Sequence, residues 1–423
     1  MTNPIFTVDR ARSLPGADFL RDRRAAAAAR FAETPLPTHE LEEWRYSQID
    51  DVDLGRYSLP AEPSEAAPPA ELLALRDHVT HRAATVLIRS GKVIALDIDE
   101  RLASAGLRVG RLAEQPEHAS LLGSVETDPD AFVLLNEAFS ADPVVIDVPA
   151  GLDVTEPIVI ARWFDTDGGA SFPRILVRSG AGASVRVVEW SGSSDVDGLV
   201  VPVVEVDAGD ASRVGYLGVQ LLGPRVTQLG RFASRVGQQA TLEAGHVAFG
   251  GDYARMRFDC RLVGRGATGD LSALYLGGGT GMHDLRTFQD HDAADTTSDL
   301  LFKGAVDDES HAVYTGLIRI SKQGRGSNAT QSNRIVKLSP DAWAESVPNL
   351  EIEHNDVRCA HASAVGPIDA DQRFYLESRG VPPEAAERLV VSGFFEEVLA
   401  KIEVPEVADR VRLELARRLG ATS

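Results

Sequence analysis

The 423-residue chain is long enough for two or three domains and a sizeable core. Its 63 acidic and 43 basic residues leave a formal charge of −20, which repels a phosphate backbone and excludes nucleic acid as the expected partner. Two cysteines, Cys260 and Cys359, with no Cys-x-x-Cys, exclude a disulfide framework and a self-contained four-cysteine metal site.

Residues 1–130 read as an N-terminal helical and mixed region. Arg- and Ala-rich residues 18–33 predict a helix that Pro35 and Pro37 stop. Residues 40–47, with Glu43, Trp44, Arg45 and Tyr46, read as an amphipathic helix end. Residues 60–69 alternate Pro, Ala, Glu and Ser and read as a linker, because such composition buries little. Residues 85–96 form a β-hairpin pattern turning at Ser90-Gly91, and residues 130–140 a short helix. The first residues lack a signal-peptide pattern and no apolar run is long enough to span a bilayer; the expectation is a cytoplasmic protein without a membrane partner.

From about residue 131 to 365 the texture is all-β. Val-, Leu- and Ile-rich runs recur at 144–148, 157–161, 174–178, 184–189, 200–206, 213–220, 241–247 and 311–320, separated by Gly, Asp and Ser turns. A stack this long is a solenoid or a large sandwich, and with no sharp repeat the pattern does not choose between them. In residues 254–262 the apolar residues, Cys260 among them, share one face, which places Cys260 in the core. Gly264-Arg265-Gly266-Ala267-Thr268-Gly269 satisfies G-x-G-x-x-G, but a strand pattern follows it rather than the helix a dinucleotide needs, so it reads as a turn. Gly277 to Gly281 is another turn, and no P-loop is present. His283, His291, His311 and His354 are scattered and read as solvent-facing or structural.

The β region ends in Val357-Arg358-Cys359-Ala360-His361. Alternation along a strand puts Cys359 and His361 on one side and Ala360 on the other. A thiolate beside a neutral imidazole suits iron, zinc or an iron-sulfur cluster, although two donors alone do not hold a metal. The competing reading is a small buried hydrophobe beside a hydrogen-bonded strand-end histidine. Residues 366–423 return to helix: 372–395 reads as a helical segment, Pro382 and Pro383 can open a helix with Val390, Phe394 and Val398 on one stripe, and 406–419 carries Val407, Val411 and Leu415 on one face. Such a face either packs on the core or docks a partner.

Cys359-Ala360-His361-Ala362-Ser363-Ala364-Val365-Gly366-Pro367-Ile368-Asp369, then Phe374 to Gly380 and Ser392 to Val398, closely resembles the C-terminal signature of the SufB/SufD family, scaffold subunits of the SUF iron-sulfur cluster assembly machine. The Glu-x-Trp-Arg-Tyr run at Trp44, and Ser298-Asp299-Leu300-Leu301-Phe302-Lys303-Gly304 following His291, also resemble family stretches. The chain resembles SufD rather than SufB: where SufB-type chains carry Thr-Gln-Cys-Asp-Ser, it reads Thr330-Gln331-Ser332-Asn333, and the Cys-x-His of SufD-type chains is kept.

The resemblance implies a mainly β fold: a right-handed parallel β-helix core flanked by N-terminal helical or mixed and C-terminal helical domains. It implies a non-catalytic scaffold that pairs with a SufB-like subunit and docks a SufC-like ABC-type ATPase, ATP entering only through that partner. A transient iron-sulfur cluster is shared across the subunit interface, with His361 and, more weakly, Cys359 as ligands, and the isolated chain has a homodimer open to it. The docking surface would include Tyr375, Arg379, Gly380, Phe394, Phe395 and Val398. Ala362-Ser363-Ala364 departs from the family's Gly-Ala-Thr and puts the local backbone geometry in doubt. The readings from other classes are a β-helix enzyme acting on polysaccharide, which needs paired carboxylates or a basic residue in a groove, and a structural adaptor with no ligand role.

Overall fold

The computed structural model of the chain describes residues 5–59 and 67–420; the stretch read as a linker falls largely outside the described residues. β-Branched and aromatic side chains fit a pleated, half-buried surface, and here they form strands that coil into a parallel β-helix of about eight turns. Successive turns feed two sheets, of ten and eleven strands among the described residues. In the ten-stranded sheet Thr241, Thr268, Thr297, Asn328 and Arg358 stand in register. In the other, Tyr253, Met282, His311 and Trp343 do. Side chains that bond between neighbouring turns are from 27 residues apart, as Tyr216 and Glu189 are, to 31 apart, as Tyr253 and Asp284 are. A period therefore exists, and its variable turns are what hide it from a fixed-period search.

One parity of each strand fills the space between the sheets. Val187, Leu242, Leu271 and Leu300 meet Val204, Phe232, Phe258 and Leu285 there, and Cys260 is buried among them. The opposite parity is covered by helices on both outer faces. Helices Asp18–Glu33 and Ala131–Phe139 lay Phe31, Phe132 and Phe139 on the eleven-stranded sheet at Leu229 and Tyr253. Helices Pro383–Leu399 and Pro405–Arg418 lay Val391, Phe395, Val411 and Leu415 on the ten-stranded sheet at Trp190, Leu274 and Leu301.

Three local readings change. Residues 200–206 are two strands, Gly198–Val200 and Val203–Ala208, because Pro202 has no N–H to give the ladder. Residues 372–395 are two helices, Ala370–Ser378 and Pro383–Leu399; Gly380 stops the first at φ 87°, its N–H bonding the Glu377 carbonyl, and Pro383 opens the second. Residues 40–47 hold only a short turn, Glu42–Trp44. They form a strap: the Arg255 guanidinium lies 3.7 Å from the Trp44 ring centroid and donates to the Glu43 carbonyl, and Arg286 donates to the Arg45 carbonyl.

The two ends of the β-helix differ. At the first, Lys92–Ile98 runs antiparallel to Ala84–Arg89 and Arg108–Arg111 antiparallel to Val144–Val148, and Val93 and Leu107 close the core. The hairpin turn is the expected Ser90-Gly91, both at positive φ. At the other end Trp343–Ile352 and Arg358–Pro367 are the last strands of their sheets, and among the described residues nothing pairs with their outer edges.

Both strap arginines meet Asp284, which is fully buried. Burial alone raises its carboxyl pKa, but Arg255 and Arg286 hold it below the usual carboxylate range. Asp284→Ala leaves two buried guanidiniums without their carboxylate, for an expected loss of about 3–5 kcal/mol. Urea unfolding checks this; an unchanged midpoint would contradict the strap's dependence on Asp284.

Candidate functional site

Cys359 and His361 lie on the final strand of the ten-stranded sheet, Arg358–Pro367. Register fixes where they point: Cys359 stands over Ala329, His361 over Gln331, Ser363 over Asn333 and Val365 over Ile335. All four residues beneath are buried at inward parity, so Cys359 and His361 belong to the column that lines the lumen. Opposite them, Ser346 hydrogen-bonds Ser363 across the lumen at 2.6 Å and accepts from Asn333 at 2.8 Å. Because no further turn among the described residues covers this one, its lumen residues stay open: His361 is exposed, as are Leu350, Val365 and Ile352.

The two candidate ligands differ chemically. Cys359 is half-buried against Ile318, Ile320 and Ala329, and that burial pushes its thiol pKa up, so it is protonated at neutral pH until a metal replaces the proton. His361 offers a nitrogen lone pair at the mouth. Among the described residues no three His, Cys, Asp or Glu side chains come together as a metal site, so the pair forms half of a coordination sphere at most.

Below the mouth the lumen turns polar, a feature the sequence reading passed over. His291 is buried, its Nδ1 2.8 Å from Thr296 Oγ1 and its Nε2 2.9 Å from Ser298 Oγ. Gln289 donates to the same Ser298 hydroxyl at 2.8 Å, and Thr287 bonds Tyr314 at 2.8 Å. The available signal was the strand Asn328–Lys337, where Gln331 and Asn333 alternate with outward residues at core parity. Ser332 is of the other parity and pairs with Ala362, so it does not line the lumen.

The C-terminal helices divide the expected docking residues. Phe395 is 0 % exposed and Val398 is buried beside it; both pack on the outer sheet and are anchors, not partner-facing groups. Lys303 adds to that anchor, its Nζ donating to the Phe394 carbonyl at 2.8 Å and pairing with Glu397 at 2.6 Å. Tyr375, Arg379 and Gly380 are exposed and Phe394 half-buried. Phe374, 71 % exposed, belongs with them and was not singled out. A groove of about 960 Å³ runs between these helices and the end of the β-helix, lined by Val336, Ile368, Tyr375, Leu389 and Phe394.

Residues 162–394 match the family model described as SUF system FeS cluster assembly, SufBD core domain, and residues 13–160 match the SufBD protein N-terminal region. The chain belongs to the SufBD family. It is 34% identical over 310 residues to the iron-sulfur cluster assembly SufBD family protein of Mycobacterium tuberculosis, covering 71% of this chain and 76% of that one. It is 26% identical over 312 residues to the iron-sulfur cluster assembly protein SufD of Bacillus subtilis, covering 72% and 71%, and 27% identical over 406 residues to the chloroplastic protein ABCI7 of Arabidopsis thaliana, covering 92% and 84%. SufBD membership supports a role in SUF iron-sulfur cluster assembly. No described helix is long and apolar enough to cross a membrane.

The histidines carry a pH prediction for this SufBD chain. Burial lowers the pKa of His291 and His283 to about 4 and of His246 to about 3. The unfolded chain protonates these imidazoles from about pH 6.5 downward, the folded one much lower. The unfolded state therefore binds more protons in that window, and stability falls as pH falls, by up to about 1.4 kcal/mol per pH unit per histidine. Urea midpoints at pH 7 and pH 5 check this, and His291→Gln should flatten the dependence; a flat wild-type profile would contradict neutral burial.

Proposed function

We propose that the chain is a SufD-type, non-catalytic scaffold subunit that pairs, through the open end of its β-helix, with a SufB-like subunit. An iron-sulfur cluster is built at that junction as cargo, with His361 and Cys359 supplying this chain's share of its ligands. A SufC-like ABC-type ATPase docks on the C-terminal helical module. The observation that carries the reading is the uncapped last turn: two ten-residue edge strands surround an exposed imidazole and a half-buried thiol. Unpaired parallel edges and bare lumen residues are templates for another chain, and solenoids need a cap to remain soluble.

Half a ligand set at such an edge is completed by whatever covers it. A partner thiolate is the natural complement, since thiolates hold iron-sulfur clusters and this chain offers one thiol and one imidazole at the mouth. Cluster growth displaces the Cys359 proton, so loading releases protons and weakens at low pH. Ser332 lacks a soft donor, and the likeness to the Bacillus SufD supports the SufD-type assignment. Without its partner the same open end leaves self-pairing as a route to a homodimer.

The ATPase site is the exposed apolar edge formed by Phe374, Tyr375 and Leu389 beside the groove, with Arg379 stacked 5.1 Å from the Tyr375 ring centroid. Phe395 and Val398 tie this edge to the β-helix, so a pull on the helices reaches the strands that carry Leu274 and Leu301. ATP-driven dimerisation of two docked ATPases would then strain the junction and expose its ligands.

Anaerobic co-purification with SufB-like and SufC-like partners tests the assignment. His361→Ala should leave the complex intact and lose most of its iron and acid-labile sulfide. Tyr375→Glu with Phe374→Glu should lose the ATPase and keep the SufB-like subunit. Unchanged loading in His361→Ala would reduce this chain to a structural adaptor, and failure of the wild type to co-purify would overturn the assignment.

A further inference from the structure

At the lumen mouth Gln289 and Asn333 each keep one buried amide oxygen without a partner, and Gln331 is left with both of its amide atoms unmatched. Gln331 is 2 % exposed, yet neither its amide oxygen nor its amide nitrogen has a hydrogen-bond partner among the described residues. A buried amide left unpaired is destabilising, and the turn below shows that the position does not require one: Leu300 fills the same column directly beneath. The opposite sheet makes room for the amide. A Cβ on Gly316 would sit 2.5 Å from Gln331 Nε2 and would also collide with the Tyr314 hydroxyl. Tyr314 is already engaged by Thr287. On the remaining side, one strand above, stands His361. Adjacent strands lie about 4.8 Å apart, so stacked residues of one column are immediate neighbours.

We propose that Gln331 is the positioning residue for His361. When the imidazole turns into the lumen, its inner ring N–H donates to the Gln331 amide oxygen. The outer ring nitrogen is then left unprotonated and aimed out of the mouth, where a metal needs its lone pair. Ligating histidines characteristically give their second ring N–H to such a partner, which fixes tautomer and ring orientation. The amide is suited to this because it stays neutral in the lumen and offers an acceptor at any pH. The inference rests on the reading of His361 as a ligand, but the orientation of the ring is measurable without any cluster.

The test uses the full chain labelled with 15N-histidine, the His361 resonances being assigned by their loss in His361→Asn. Long-range proton–nitrogen spectra report which ring nitrogen carries the proton. Gln331→Leu should shift the His361 tautomer ratio about fivefold, the equivalent of one hydrogen bond of about 1 kcal/mol. It should also fold at least as stably as wild type, since it removes two unpaired polar atoms and copies Leu300. Gln331→Glu, which keeps an acceptor, should hold the wild-type ratio. An unchanged ratio in Gln331→Leu overturns the inference. In the co-purified complex, Gln331→Leu should lower iron and sulfide together with His361→Ala. A tautomer shift with full loading in both variants would uphold the positioning contact while overturning the ligand reading of His361.

Discussion

A parallel β-helix pairs every backbone group of one turn with the turns before and after it, so its unmet demands collect at its two ends. Here the ends are treated in opposite ways. The first is closed by antiparallel strands, with Val93 and Leu107 covering the lumen. Among the described residues the last ends in two strands with unpaired outer edges around an open mouth. The exposure of His361, Leu350 and Ile352 follows from that open end. The same constraint bears on the proposed ligand role of Cys359 and His361: they stand on a lumen column that ends at the last strand of the coil.

The helices on the outer faces bind the working parts together. On the eleven-stranded sheet the Trp44 strap and its Arg255–Asp284–Arg286 cluster clamp strands Tyr253–Leu262 and Met282–His291, and Tyr46 reaches the last strand, its ring centroid 6.1 Å from that of Trp343. On the ten-stranded sheet Phe395, Val398 and Lys303 fasten the C-terminal helices to the strands that carry Leu301 and Leu274, two and three places in from the last one. Tyr375 and His361 are joined by a short segment that leaves the last strand through Gly366 and enters the helices at Asp369, whose side chain caps Asp371 and Gln372.

Much of this was legible in the sequence wherever the signal is local. Helix 18–33, hairpin 84–98 and strand His311–Ile320 stand where alternation, propensity and turn chemistry put them, and Cys260 is core as its strand face required. The parity argument that set Cys359 and His361 on one side of their strand holds. What it lacked was the meaning of that side: only the register over Gln331 shows it to be the lumen. Phe395 and Val398 were misread because a helical stripe looks the same whether a partner or a distant sheet covers it, and the covering residues, Leu274 and Leu301 among them, are far away in the chain. The turn repeat escaped notice because its loops differ in length. Gln331 escaped because a glutamine in a strand is unremarkable until its neighbours are shown to leave it unpaired.

Amide hydrogen exchange of the chain alone and mixed with its SufB-like partner tests the central claim most directly. If the open end is the junction, strands Trp343–Ile352 and Arg358–Pro367 exchange quickly in the free chain and become strongly protected in the mixture, while Ala84–Arg89 and Lys92–Ile98 at the capped end do not change. Protection elsewhere, with 343–367 unaffected, would contradict the claim that the uncapped turn is where this chain meets its partner.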